Sequence, residues 1–377
     1  VHTLIQELLG ADTAPGSPEQ KVRDFYLSFL DKADVNSSGL RPIQGLLDEI
    51  LAISSTEDLT FIFARAGLDG FYTPIAWNVG PDMKNPDSQI LLLGVGALSL
   101  PDRDFYLEEA QHFKSIRAAF SQNIQNILEI AGFDPHEAQI SAERILTLET
   151  KMARAHWSRT EMRDAEKIYN IYSFEKLCQE FPDFAWSDYF EQAKLPRIST
   201  LNITAPSAIE DMIKVLHDTP IRTWQAYLAY KLVVSQSALL SDEIEEACFD
   251  FYGRALSGQQ ERLPLWKRAV GLVSSKLGEA VGQLYVERHF PPDAKVQMDE
   301  LVANVMAAFS ECIATAPWMS EATRARAKRK LATFLPKIGY PATWKDYSSL
   351  IVEPQDLFGN ARRADRLAYQ ERLDQLG

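Results

Sequence analysis

The sequence predicts a mainly α-helical fold: a large multi-helix lobe carrying one small β-hairpin at about residues 71–79 and 89–95. Three observations carry that expectation. Apolar residues recur at helical spacing, as in Leu301, Val305, Phe309 and Ile313, with Val302 and Met306 alongside. Capping residues stand where such runs begin, and a glycine stands where one stops. One region abandons the helical period for alternation and turn residues.

That region comes first along the chain. Residues 71–79 alternate loosely and include aromatics. Residues 80–88 hold Pro81, Asp82, Asn85, Pro86 and Asp87, and residues 89–95 form a short apolar run. The order strand, long loop, strand follows. Thr219 and Pro220 predict the cap and first turn of a helix carrying Trp224, Tyr227 and Leu228. Ser241 predicts the next cap, with Asp242, Glu243, Glu245 and Glu246 near the positive end of that helix. Its buried face would hold Ile244, Cys248, Phe251 and Ala255, and Gly258 would end it. Ser320 and Glu321 open another helix rich in Ala, Arg and Lys. Turn-forming residues also gather at 11–18, 182–206 and 341–354; no internal repeat is present.

Composition limits the function. With 377 residues, the chain exceeds what one compact core usually organises. A net charge of −13 argues against nucleic acid or an anionic membrane as a main partner, because phosphate binding needs a basic face. The longest apolar run, residues 90–98, is half the roughly 18 residues a membrane span requires. Three cysteines, Cys178, Cys248 and Cys312, make no disulfide framework and no C-x-x-C pair. They predict small buried hydrophobes in a reducing compartment. The chain begins at Val1 without a signal-peptide pattern, which predicts a piece of a longer polypeptide.

Local motifs supply no chemistry. His136-Glu137 opens like a zinc-peptidase helix, but position 140 is Ile where H-E-x-x-H needs its second ligand. His2, His112, His156, His217 and His289 form no i, i+3 or i, i+4 pair, so no metal site and no catalytic residue is assigned. Gly94-Val95-Gly96 follows a strand as a dinucleotide loop would. Ser99 replaces the third glycine, Pro101 follows, and a tight turn is the preferred explanation. There is no G-x-S-x-G. The run Arg324, Arg326, Lys328, Arg329, Lys330 reads as a solvated helix. Trp157, Tyr169, Tyr172, Trp186 and Tyr189 read as packing anchors. Residues 156–164, with Arg163 and Asp164, read as a polar network between helices.

Taken in order, longer pieces resemble one family. They are residues 100–106 (L-P-D-R-D-F-Y), Arg163-Asp164 with Tyr169-Asn170, Phe251-Tyr252 with Leu256 and Gly258, and Trp266-Lys267. Gly282 with Leu284-Tyr285-Val286, Phe290-Pro291, Trp318-Met319, Thr323, Ala327, Lys330 and residues 338–341 (I-G-Y-P) complete the series. The chain resembles the N-terminal, non-catalytic portion of a neprilysin- or endothelin-converting-enzyme-type zinc metallopeptidase. Ser99 stands where glycine is usual, Leu265 where arginine is usual, and Ala269 where cysteine is usual. The missing cysteine fits a bacterial-like, disulfide-poor member.

The resemblance implies an access-restricting helical lobe over 1–377, with possible subdomains at 1–200 and 201–350 and with 351–377 leading into an absent catalytic domain. It implies a zinc-dependent oligopeptide hydrolase as the parent. One zinc would lie in that parent and no cofactor in this chain. The implied partners are the catalytic lobe of the same polypeptide and peptide substrates, and the implied compartment is the bacterial cytoplasm. No catalytic or metal residue transfers to any position here, and substrate-binding residues are unassigned. Gly282, Leu284, Trp318 and Tyr340 are expected to pack helices and shape a cavity wall. Two alternatives stand beside this: a stand-alone all-α interaction module without catalysis, and an enzyme whose site assembles from scattered residues.

Overall fold

A computed structural model describes residues 1–376. Among the described residues the chain forms eighteen α-helices and four short strands, in agreement with a mainly α fold. It divides into two compact units. The smaller joins Val1–Leu30 to Leu265–Pro354; the larger joins Asp31–Pro264 to the segment from Gln355 onward.

In the larger unit the predicted hairpin is present. Strand β1 (Ile75–Pro81) pairs antiparallel with β2 (Gln89–Val95), with Ile75 opposite Val95 and Pro81 opposite Gln89. Two further strands extend it. β3 (Ile171–Ser173) pairs antiparallel with β4 (Thr200–Ile203), and β4 lies parallel to β2, giving the order β1-β2-β4-β3. Strands of three and four residues are too short to show a period of two, which is why the sequence did not display them. Leu91, Leu93, Leu201 and Ile203 are fully buried and root the sheet in the core.

The glycines of the Gly94-Val95-Gly96 motif are explained here. A Cβ on Gly96 would fall 1.8 Å from the Thr73 carbonyl oxygen, and one on Gly94 would fall 2.6 Å from Thr204 Oγ1. Close backbone approach, not phosphate binding, calls for glycine.

Helix ends show which sequence signals act. Ser55 and Asp58 form a reciprocal capping box at the start of the Thr56–Asp69 helix, and Gly70 ends it at φ 75°. The last carbonyls of that helix are taken by two distant side chains. Arg362 donates to Leu68 O and Asp69 Oδ1, and Gln236 Nε2 donates to Gly70 O at 2.5 Å. Arg362 belongs to the Leu357–Asp374 helix, which Tyr369 also anchors by donating to Ala193 O at 2.5 Å.

Two predicted caps act differently. Pro220, not Thr219, occupies the N-cap of the Ile221–Gln236 helix; the Thr219 hydroxyl donates back to Val215 O at 2.6 Å and closes the preceding helix. Ser241 sits at the N-cap of Asp242–Phe249 but makes no side-chain cap bond; the Asp242 N–H donates to Asn36 Oδ1 at 2.8 Å instead. That helix runs into a π-turn over Asp250–Leu256, and Gly258 (φ 70°) ends it as expected.

In the smaller unit, the helices His2–Leu9, Pro18–Leu30, Leu265–Lys276 and Gly278–His289 bury Ile5, Val22, Phe25, Phe29, Val273 and Leu284. Lys21, 4% exposed, donates Nζ to Tyr347 O at 2.5 Å, and burial lowers its pKa. Tyr340 stacks on Trp344 at 5.8 Å and meets Phe290 edge-on at 5.9 Å. Gly282 lies against the Trp344 ring. Gly282, Leu284 and Tyr340 thus pack as expected, whereas Trp318 is 76% exposed. The helices Pro292–Thr315 and Glu321–Ala332 form a hairpin in which no residue is buried.

Candidate functional site

Two places in the molecule have chemistry that folding alone does not require. The first is a polar cluster inside the larger unit. Glu149, on the Pro135–Ala155 helix, is fully buried, and its carboxylate accepts from Ser99 N (3.3 Å), Ser99 Oγ (2.6 Å) and the Tyr106 hydroxyl. Lys231, 6% exposed, donates to the same Ser99 Oγ at 3.3 Å. Ser99 therefore bridges a buried anion and a buried cation, and burial lowers the Lys231 pKa while Glu149 opposes that shift.

The hydroxyls around the pair have a fixed direction. Tyr230 donates to Asn123 Oδ1 at 3.0 Å, so the Tyr252 hydroxyl, also at 3.0 Å, must donate to Tyr230. Asn123 Nδ2 passes the chain on to Ala247 O at 2.8 Å. Burial, reinforced by the Glu149 charge, pushes the Tyr106 and Tyr227 hydroxyls well above the ordinary value of 10.0, so both stay neutral. Tyr227 Oη is buried and makes no hydrogen bond.

Tyr106 and Tyr252 both belong to the pieces that carry the family resemblance, and Ser99 is one of the departures from it. Glu149, Lys231 and Asn123 were not singled out from the sequence. The available signal was Lys231 itself, a lone cation inside residues 226–234 (A-Y-L-A-Y-K-L-V-V), where an unpaired charge could not be buried.

The polar segment 156–164 joins elements, but not through the residues first considered. Arg103 donates to His156 O, Arg159 pairs with Asp102, and Trp157 Nε1 donates to Ser207 Oγ at 2.8 Å. Arg163 and Asp164 are exposed. Asp164 only tightens its own turn, accepting from Glu166 N and Lys167 N. Burial, with the nearby Arg103 charge, lowers the His156 pKa from 6.5 to about 4, and its Nε2 is buried without a partner.

The second place is the exposed helical hairpin of the smaller unit. Leu301, Val305 and Phe309 are 52%, 45% and 57% exposed, so the face that the sequence predicted as core-facing is in solvent. Each such side chain forgoes about 1–3 kcal/mol of burial. Between the two helices lies an apolar cavity of about 510 Å³ lined by Phe309, Trp318, Met319, Leu331 and Phe334. Cys312 also lines it and is exposed, whereas Cys248 is buried, with its thiol pushed up to about 12.

Among the described residues no group of three or more His, Cys, Asp or Glu is placed to hold a metal ion. His136 and Glu137 form the exposed first turn of their helix, both capped through backbone N–H groups by Asp134 Oδ1. No described helix is long and apolar enough to cross a membrane.

Comparison with known proteins fits the sheet, the helices and their order. A family model described as peptidase family M13 matches residues 1–341. The neutral endopeptidase of Lactobacillus helveticus is 25% identical, over 97% of this chain and 58% of its own length. Human endothelin-converting enzyme 1 is 24% identical, over 100% of this chain and 51% of its own length. The crystal structure of the Mycobacterium tuberculosis zinc metalloprotease ZMP1 with an inhibitor superimposes with a TM-score of 0.92 at 30% identity, covering 99% of this chain and 57% of that one. The chain thus spans about half the length of the curated relatives it matches. On the match over residues 1–341, this chain belongs to peptidase family M13.

Proposed function

We propose that this chain is the N-terminal, access-restricting lobe of a zinc-dependent metalloendopeptidase that hydrolyses oligopeptides. In this reading the zinc ligands are supplied by polypeptide outside residues 1–377. The observation that carries it is the family match over most of a chain without H-E-x-x-H, whose relatives include proteins named endopeptidase and zinc metalloprotease. Zinc catalysis needs three protein ligands, an open coordination position and a nearby base. A helical lobe of this kind would act by size, since a folded domain wider than an entrance cannot reach a metal behind it. The three free cysteines support a reducing compartment, with the bacterial cytoplasm as the proposed setting.

The exposed hairpin also supports a second reading, an all-α interaction module without catalysis. Two measurements decide between them. The first is the zinc content and chelator-sensitive cleavage of an unstructured peptide by this chain alone. The second repeats both with the polypeptide encoded after Gly377. The proposal expects neither property alone and both together. Stoichiometric zinc or peptide cleavage by residues 1–377 would sink it, and a gene that ends at Gly377 would favour the interaction module.

A further inference from the structure

The larger unit has a polar cavity that none of the preceding chemistry uses. Its volume is about 300 Å³, and one wall is a face of the Pro135–Ala155 helix. Arg144, Thr147 and Lys151 stand there at steps of 3 and 4, on one side of the helix. Both cations are exposed, and neither makes an ion pair or hydrogen bond with a described group. Among the described residues Glu143 is the one acid in the lining. It is next in sequence to Arg144, so the two side chains diverge, and it lies two helical turns, about 12 Å, from Lys151.

The opposite wall is the start of the Ile221–Gln236 helix, through Thr219, Pro220 and Thr223. A helix start leaves N–H groups without intrahelical acceptors. Here Pro220 holds the N-cap and has no side chain that could accept. The first helical bonds, from Thr223 N at 2.8 Å and Trp224 N at 3.3 Å, both end on Pro220 O. The N–H groups of Ile221 and Arg222 before them have no acceptor among the described residues. The threonine hydroxyls add a separate observation. Thr147 donates to Glu143 O at 2.9 Å and Thr219 to Val215 O at 2.6 Å, back along their own helices. Thr223 lines the cavity and is 5% exposed, yet its hydroxyl has no partner among the described residues. A buried hydroxyl without a partner costs stability until something accepts from it.

Apart from Glu143, the free groups here are donors: two backbone N–H groups, one hydroxyl and two cations. They suit a small anion with several acceptor oxygens, seated at the positive end of a helix. A carboxylate offers two oxygens and one charge. A phosphate monoester offers three and nearly two charges above its second pKa of about 6. The paired cations match the dianion, and the volume leaves room for a small organic group beside it. We propose that this cavity binds a small phosphate monoester. Its phosphoryl oxygens would lie between the start of the Ile221–Gln236 helix, the Thr223 hydroxyl, Arg144 and Lys151. The proposal does not rest on the peptidase reading. The ligand would tie together the two helices that carry Glu149 and Lys231, so occupancy should stabilise the larger unit.

The test uses residues 1–377 at about pH 8, where a phosphate monoester is a dianion, with glycerol 2-phosphate as the probe. Calorimetry follows binding, and amide resonances locate it. The expected result is saturable 1:1 binding that shifts the Ile221 and Arg222 amides, raises the thermal midpoint and weakens as salt rises. Arg144→Gln combined with Lys151→Gln, at exposed positions, should weaken it by about ten-fold or more. Thr223→Val should weaken it about five-fold while leaving the ligand-free urea midpoint no lower than the parent's, because the lost hydroxyl had no partner. Glu143→Gln should tighten it. Absence of saturable binding, undiminished binding in the double variant, or resonance shifts confined to other residues overturns the site. Acetate that competes as well as the probe overturns the dianion, and inorganic phosphate that binds as tightly as the probe overturns the ester.

Discussion

Lys231 and Glu149 are the residues where single changes should tell most. Each charge is tolerable in the core because Ser99 Oγ joins them. Removing one partner strands the other, at a cost of about 3–5 kcal/mol. Lys231→Met should therefore unfold at markedly lower urea than the parent chain, whereas adding Glu149→Gln should recover a large part of the loss. A double-mutant cycle with no coupling would show that the two charges are independent. His156 gives a second prediction, in pH. Its folded pKa of about 4 lies below the ordinary 6.5, so the unfolded state holds the proton more tightly. Its contribution is intact above pH 6.5 and is lost as pH falls towards 4, by about 2 kcal/mol for a partly exposed ring. His156→Phe should flatten the fall in urea midpoint between pH 6.5 and 4; an unchanged acid limb would clear His156 of that role. Neither Lys231 nor Glu149 was marked in the sequence. Burial of a charge is decided by which helices meet, and spacing along the chain does not encode that.

At the scale of elements, signals confined to a few neighbouring residues were readable. The strands of the hairpin, the Ser320 cap (accepting from Thr323 N at 3.2 Å) and the Gly258 stop all follow from local chemistry. Thr219 and Ser241 occupy cap-like positions in the sequence, yet Pro220 holds the first N-cap while Thr219 bonds back to Val215 O, and distant Asn36 takes the Asp242 N–H in place of Ser241. Gly96 shows the same division. Its motif suggested a turn or a ligand loop, and only the approach of the Thr73 carbonyl gives the reason. Gly96→Val should cost about 3 kcal/mol or more, since backbone on both sides must move. Gly45→Ala is the control: it lies in a helix with open space around its Cβ position and should stabilise by about 0.5–1 kcal/mol. Equal urea midpoints for the two variants would contradict this account of Gly96.

At the scale of the whole molecule, the helical class and the family were legible because both are spread over hundreds of residues. The four-stranded order was not, because β3 and β4 are too short to show a period. The exposed apolar stripe of the Pro292–Thr315 helix was half legible. Periodicity in residues 301–313 marked one helical side as apolar, but the pattern of a buried face and the pattern of an exposed one are identical in sequence. Only the structure, with Phe309 and Trp318 more than half exposed, separates the two cases.

The parallel pairing of β2 with β4 also sets a schedule for the ribosome. Leu93 pairs with Ile203, which is 203 − 93 = 110 residues later. At about 5–20 residues per second, the open edge of β2 waits roughly 5–20 s for its neighbour to be made. Throughout that interval Leu91 and Leu93 belong to an apolar strand with an unpaired side, in a nascent chain from which aggregation must be avoided. A helix that packs on β2, Pro206–His217, is encoded directly after β4, so during that wait the strand lacks this cover as well as its edge partner.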